Sequence, residues 1–183
     1  MYAINEVRCK TRPHGKRVAF TGHRPQKLPF GFDEGDPQCI LFKARLFETV
    51  EGLCEEGYRH FLSGGALGYD TFAAEAVLRV KHLYPDVILE MVSPYDAQTE
   101  LWTFENRMRH DWLFAQADIV TATGHDYTPT CMARRNRYLV SNADLVLAAY
   151  SGQDGGTAAT VRYADALHIP VRIFWPFLEK KAV

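Results

Sequence analysis

The chain has 183 residues, 47% of them hydrophobic and 23% charged, with a formal net charge of −1. That length suits one soluble domain with a core of its own, and no stretch approaches the roughly 20 apolar residues of a membrane span. The near-neutral charge disfavours a general polyanion binder, and four cysteines (Cys9, Cys39, Cys54, Cys131) without a C-x-x-C pair have the spacing of neither a zinc site nor a disulfide framework. The expectation is a reduced, cytoplasmic setting with no metal site and no membrane.

Residues 1–16 are polar and basic, lack a signal-peptide apolar segment and read as a loosely held leader, leaving residues 17–183 as one domain. Residues 17–22 (R-V-A-F-T-G) form a first strand that must exit into a loop, because Pro25 biases Arg24 away from helix. That loop lasts to about residue 37, long for a strand-to-helix connection. A helix over residues 38–56 follows, with Leu41, Phe42, Leu46, Val50 and Leu53 at helical spacing and Gly57 as its stop. Further strands are predicted at 58–62, 87–92, 119–121, 145–149 and 171–174, and further helices at 71–84, 99–116, 130–142 and from about 156 to 167. Alternation of this kind predicts an α/β, Rossmann-like domain: a mostly parallel sheet with helices on both faces and a ligand crevice at the carboxyl ends of the strands.

Two glycine turns stand at strand ends. The first, S-G-G-A-L-G-Y-D from residue 63 to 70, runs from a strand into a helix and contains Gly64, Gly65 and Gly68. The second contains Gly155, Gly156 and Thr157 and opens the last helix. Glycines let backbone approach a ligand closely, and a helix start offers unpaired N–H groups and the positive end of its dipole, which suits a phosphate. The alternatives are plain tight turns and, for Thr157, ordinary N-capping.

The residues T-G-H-R-P-x-K-L-P at 21–29, G-G-A-L-G-x-D at 64–70, Trp102, Arg135-Asn136 and G-G-T-x-x-x-V-x-Y-A at 155–164 closely resemble the YpsA-like family of the SLOG superfamily. The resemblance runs from residue 17 to about 171. It implies a Rossmann-like fold, a nucleotide-derived ligand of the adenine dinucleotide or ADP-ribose type, and a homodimer. The superfamily includes the lonely-guy phosphoribohydrolases and the DNA-processing DprA proteins. The hydrolases' arginine falls on Arg135, with Asp144 as the aspartate that opens the next strand. Their catalytic glutamate position holds Thr160, and a hydroxyl cannot replace a carboxylate as general base.

The candidate ligand-binding residues are therefore Thr21, Gly22, His23, Arg24, Gly64, Gly65, Gly68, Asp70, Trp102, Arg135, Asn136, Gly155, Gly156 and Thr157. Arg24 and Arg135 carry planar forks of donors suited to phosphate, against the alternative of a surface ion pair. Asp70 either complements its helix dipole or meets a ribose hydroxyl or base. Trp102 and Tyr95 stack on a base or belong to the core. Asp70, Glu75 and His23 are the weak catalytic candidates. Asp70 and Glu75 lie about 140° apart on a helix and make a poor pair, and His23 serves as well for a structural hydrogen bond. Arg134, Arg135 and Arg137 on one helix read as a solvated face rather than a nucleic-acid surface. The leading expectation is a sensor or regulator that binds a nucleotide-derived small molecule; the others are an enzyme cleaving an N-glycosidic or phosphoester bond, and a nucleic-acid module.

Overall fold

The structure, a computed structural model, describes residues 15–177; most of the predicted leader and the last six residues lie outside the described residues. Six strands alternate with five helices: β1 (Lys16–Gly22), α1 (Pro37–Glu55), β2 (Tyr58–Ser63), α2 (Tyr69–Val80), β3 (Ile88–Ser93), α3 (Phe104–Gln116), β4 (Ile119–Ala122), α4 (Cys131–Ser141), β5 (Leu145–Ala149), α5 (Gly156–Ala166) and β6 (Val171–Ile173). The sheet order is β4-β3-β2-β1-β5-β6, and every pairing is parallel. This is the α/β, Rossmann-like arrangement expected from the alternation.

Alternate residues of the central strands feed two cores. Val18 and Phe20 of β1 join Phe42 and Leu46 of α1 and Phe72 and Val77 of α2 in one apolar cluster. Ala19 between them joins Leu139 of α4 and Ala164 of α5 in the other. The chain steps outward from β1 through β2 and β3 to β4, then returns across the sheet to β5 on the other side of β1. The connections leaving β1 and β5 thus diverge, and a crevice opens between their carboxyl ends, as the topology of open α/β sheets requires.

Local boundaries follow chain chemistry. Asp36 caps α1, its carboxylate accepting the Gln38 N–H at 2.6 Å, with Pro37 as the first helical residue. Helix α2 starts two residues before the expected position because Gly68, at φ 92°, turns the chain into it. Helix α3 starts later than expected: the chain from Tyr95 to Trp102 is a series of turns, and Thr103 supplies the cap. The long loop after β1 carries a short 3-10 turn, Pro25–Lys27. Among the described residues no helix is long and apolar enough to cross a membrane, and no cluster of metal-ligating side chains occurs.

Candidate functional site

Where β1 and β5 part, a cleft of about 360 Å³ lies at the switch point of the sheet. Its walls are Thr21, Gly22, His23, Arg24 and Lys27 from the β1 exit, Asp70 from α2, Met132, Arg135 and Asn136 from α4, and Gly155, Gly156 and Thr157 at the start of α5. Four separate loops or helix starts thus converge on one volume within the 300–1,000 Å³ range of small-molecule sites.

The most unusual chemistry there is an ion pair. Arg135 and Asp70 are only 4% and 6% exposed. They meet through one long contact, Arg135 Nη1 to Asp70 Oδ2 at 3.5 Å. Arg135 Nε is buried with no hydrogen-bond partner among the described residues. Burial pushes the Asp70 carboxyl up, against the opposing pull of Arg135 and Arg24. Burial likewise pulls the Arg135 guanidinium down, with Asp70 opposing. Both partners are drawn toward their neutral forms, so the pair does not fully offset its own desolvation. Arg135 is therefore neither a surface ion-pair residue nor part of a solvated face. Of its neighbours on α4, Arg134 turns toward Gly124 and Arg137 lies over the Tyr163 ring at 5.9 Å.

The two glycine turns differ. At the second, Gly155 is the N-cap of α5 at φ 147° and offers no side chain to the first-turn N–H groups. A side chain at Gly156 would enter open space. Thr157 is the second helical residue, so it is not the N-cap, and it lines the cleft from a buried position. Lys27 reaches across from the β1 loop and donates from Nζ to the Asp154 carbonyl at 2.6 Å, which places an ammonium beside this helix start.

At the first turn the space is already filled. A Cβ on Gly64 would overlap the Arg135 guanidinium, and one on Gly68 would come within 2.8 Å of the His23 carbonyl oxygen. A Cβ on Gly65 would stand 2.9 Å from the Phe114 ring. The Tyr69 N–H donates to the His23 carbonyl at 3.3 Å, the Thr71 N–H to Ala66 at 3.2 Å, and the Gly65 N–H to Ser63 Oγ at 3.3 Å. The expected phosphate cradle at Gly64, Gly65 and Gly68 is thus packed with protein. Gly22 gives up its side-chain space to the Tyr69 ring.

His23 pins one turn to the other. Its Nε2 accepts the Ser151 N–H at 3.1 Å and lies 2.8 Å from Ser151 Oγ, which fixes the neutral tautomer protonated on Nδ1. Burial, helped by Lys27, lowers its pKa. Its acceptor nitrogen is engaged, so His23 is a structural histidine here. Glu75 lies outside the cleft, where Arg109 binds it through Nε at 2.6 Å and Nη2 at 2.8 Å. Asn136 donates to Thr160 Oγ1 at 3.0 Å, and Thr160 donates to the Gly156 carbonyl at 2.8 Å. The position that would hold a glutamate therefore braces the start of α5.

Trp102 lies in a neighbouring hollow of about 590 Å³ with Tyr95, Gln98, His125 and Tyr127. Arg24 and Met132 line both the cleft and the hollow, so the two share a wall. The Trp102 ring stands edge-on to His110 at 5.5 Å and Tyr127 stands edge-on to Tyr95, also at 5.5 Å. Sequence reasoning missed Lys27 and Met132 as wall residues. Lys27 stood inside the T-G-H-R-P-x-K motif, whereas Met132 carried no signal.

The sequence profile described as the YspA SLOG family matches residues 18–169. The chain is 30% identical over 144 residues to a UPF0398 protein of Bacillus pumilus, covering 78% of this chain and 77% of the relative. It is 30% identical over 145 residues to a UPF0398 protein of Bacillus thuringiensis, covering 78% of each. Among solved structures it is similar to DNA processing protein A of Helicobacter pylori, described with a single-stranded DNA binding mode (TM-score 0.61, 22% identity, 90% of this chain and 67% of that one). DprA of Streptococcus pneumoniae is similar too, with TM-score 0.64 and 18% identity, and the match spans 90% of this chain but only 52% of that one. With its profile matched across most of its length and its fold shared with DprA, the chain belongs to the YpsA SLOG family.

Proposed function

We propose that the protein binds a nucleotide-derived small molecule, of the adenine dinucleotide or ADP-ribose type, in the switch-point cleft and acts as a sensor or regulator. The observation that carries this reading is the buried Arg135–Asp70 pair with its orphaned Nε. A guanidinium so deeply buried and so poorly matched gains from a ligand acceptor that completes its fork, and Asp70 is placed to accept ribose hydroxyls. The phosphate sits at the start of α5, beside Lys27 and Arg24, where backbone N–H groups and two cations converge. The base enters the aromatic hollow across the Arg24–Met132 wall, against Tyr95 and Trp102. Among the described residues that line the cleft the one carboxylate is Asp70, and it is paired with Arg135, which favours binding over turnover.

Calorimetric titration with ADP-ribose, NAD and AMP tests the reading. Lys27→Ala is expected to weaken binding at least about tenfold, the scale of one charge-assisted hydrogen bond, with little effect on folding. Mass spectrometry should recover the ligand intact after long incubation. No binding by any nucleotide, or affinity indifferent to Lys27→Ala, would overturn the proposal. Recovery of ribose 5-phosphate or a free base would replace the sensor with an enzyme. A second reading rests on the exposed Tyr127 ring beside Arg24 and on the DNA-binding mode described for the H. pylori structure: a stacking platform for single-stranded DNA. That reading requires binding that falls steeply with salt, which a fluorescence-anisotropy titration at two ionic strengths would reveal.

A further inference from the structure

Helix α3 presents an apolar stripe to solvent. Phe104, Met108 and Trp112 recur at every fourth residue and remain 64%, 54% and 50% exposed, while Leu101, one turn earlier, is 97% exposed. The opposite side of the helix is occupied: Leu113 is buried, Phe114 packs at Gly65, and Arg109 is held by Glu75 and Glu34. The stripe is therefore surplus to the monomer's own core. It runs about 12 Å along the helix from Phe104 to Trp112. With Leu101 it exposes roughly 500 Å² of apolar side chain, at the upper end of what monomers leave uncovered.

We propose that this stripe is covered by the same stripe of a second copy of the chain, with the two α3 helices antiparallel about a two-fold axis. Charge placement supports that occupant. Arg107 and Asp111 are both exposed, one turn apart, and each precedes a stripe residue, so they share one flank of it. A two-fold axis at the level of residue 109 brings that flank against itself. Arg107 of each copy then faces Asp111 of the other, and opposite charges meet twice. The same register interleaves the apolar ridge: Trp112 of one copy enters the gap between Phe104 and Met108 of its partner, and each Met108 lies between the partner's Met108 and Trp112. One helix face thus supplies both an isologous apolar seam and a self-complementary charge pair. Size agrees: a stable interface needs about 800 Å² from each partner, with apolar area near two-thirds in homodimers, which the stripe nearly provides.

Sedimentation equilibrium of the full chain between about 1 and 100 μM decides the matter, independently of any ligand. The expected result is a dimer that Met108→Glu converts to monomer with an unchanged circular-dichroism spectrum, and a melting temperature that rises with protein concentration in the wild type but not in the variant. Arg107→Glu or Asp111→Arg alone should weaken the dimer about tenfold by opposing like charges, and the double variant R107E/D111R should restore it. A wild-type monomer at 100 μM would overturn the proposal and leave the stripe to a different protein. A dimer that survives Met108→Glu, or single swaps that the double variant fails to rescue, would overturn it equally.

Discussion

The first and second glycine turns share a sequence signature and a position, each ending a strand and opening a helix at the same sheet edge. They are built for different occupants. At the first, Gly64 makes room for the Arg135 guanidinium and Gly68 for the His23 backbone, and the N–H groups of Gly65, Tyr69 and Thr71 are satisfied by the protein itself. At the second, a side chain at Gly156 would meet nothing and Gly155 leaves the α5 N–H groups without a side-chain cap. A glycine reports that a side chain is unwelcome; it does not report whether the space belongs to a ligand or to the protein's own arginine. The first turn fixes the charge, and the second leaves the opening.

The division breaks most severely at Asp70. Asp70→Ala removes the carboxylate paired with a buried guanidinium, leaving Arg135 against the packed first turn without it. The expected loss is about 3–5 kcal/mol, which lowers the melting temperature by roughly 10 °C in a domain of this size. A melting temperature within a degree or two of wild type would show that the pair does not anchor the first turn.

A paired substitution sharpens the same contrast. Gly64→Ala places a methyl group on the guanidinium and should cost about 1–3 kcal/mol by overpacking. Gly156→Ala adds the same methyl group in open space at the first residue of α5 and should change stability by less than about 0.5 kcal/mol, while reducing affinity for ADP-ribose. Equal destabilisation in a denaturant titration of the two variants would erase the distinction between the turns.

The fold was legible because its periodicities are strong: the strands alternate with helices of ordinary length, and only the ends moved. Helix α3 was read too long because residues 99–103 carry helix-compatible side chains, and only Thr103, whose hydroxyl accepts the Asn106 N–H, marks the true start. The site was legible as a set of residues but not as an arrangement. Arg134, Arg135 and Arg137 look alike in the sequence; that Arg135 alone turns inward depends on Gly64, some seventy residues away, giving up its side chain. Lys27 escaped notice because its partner, the Asp154 carbonyl, is a backbone atom that no sequence pattern advertises. For His23 the sequence left an acid–base role and a structural hydrogen bond both open, and the Ser151 N–H that occupies its acceptor nitrogen, 128 residues away, favours the second.

That histidine supplies the gentlest way to separate the two turns. Its folded-state pKa lies below the ordinary imidazole value of 6.5 because burial, and then Lys27, disfavour the charged ring. Just below 6.5 the unfolded chain therefore holds more protons at this site than the folded chain, and stability falls as pH drops through that value. His110 is shifted the same way, chiefly by burial, and contributes its own share. Lowering the pH from about 7.5 to 5.5 should reduce the melting temperature less in His23→Gln than in wild type, since glutamine carries no titrating proton. Protonation also removes the Nε2 acceptor that holds the Ser151 N–H. Hydrogen-exchange protection, taken relative to the intrinsic rate at each pH, should then fall at pH 5.5 for Ser151 and the α5 start, while Gly65 and Thr71, whose partners do not titrate in this range, keep theirs. An equal loss of protection at both turns would mean that acid loosens the sheet edge as a whole and that His23 is not the pin between them.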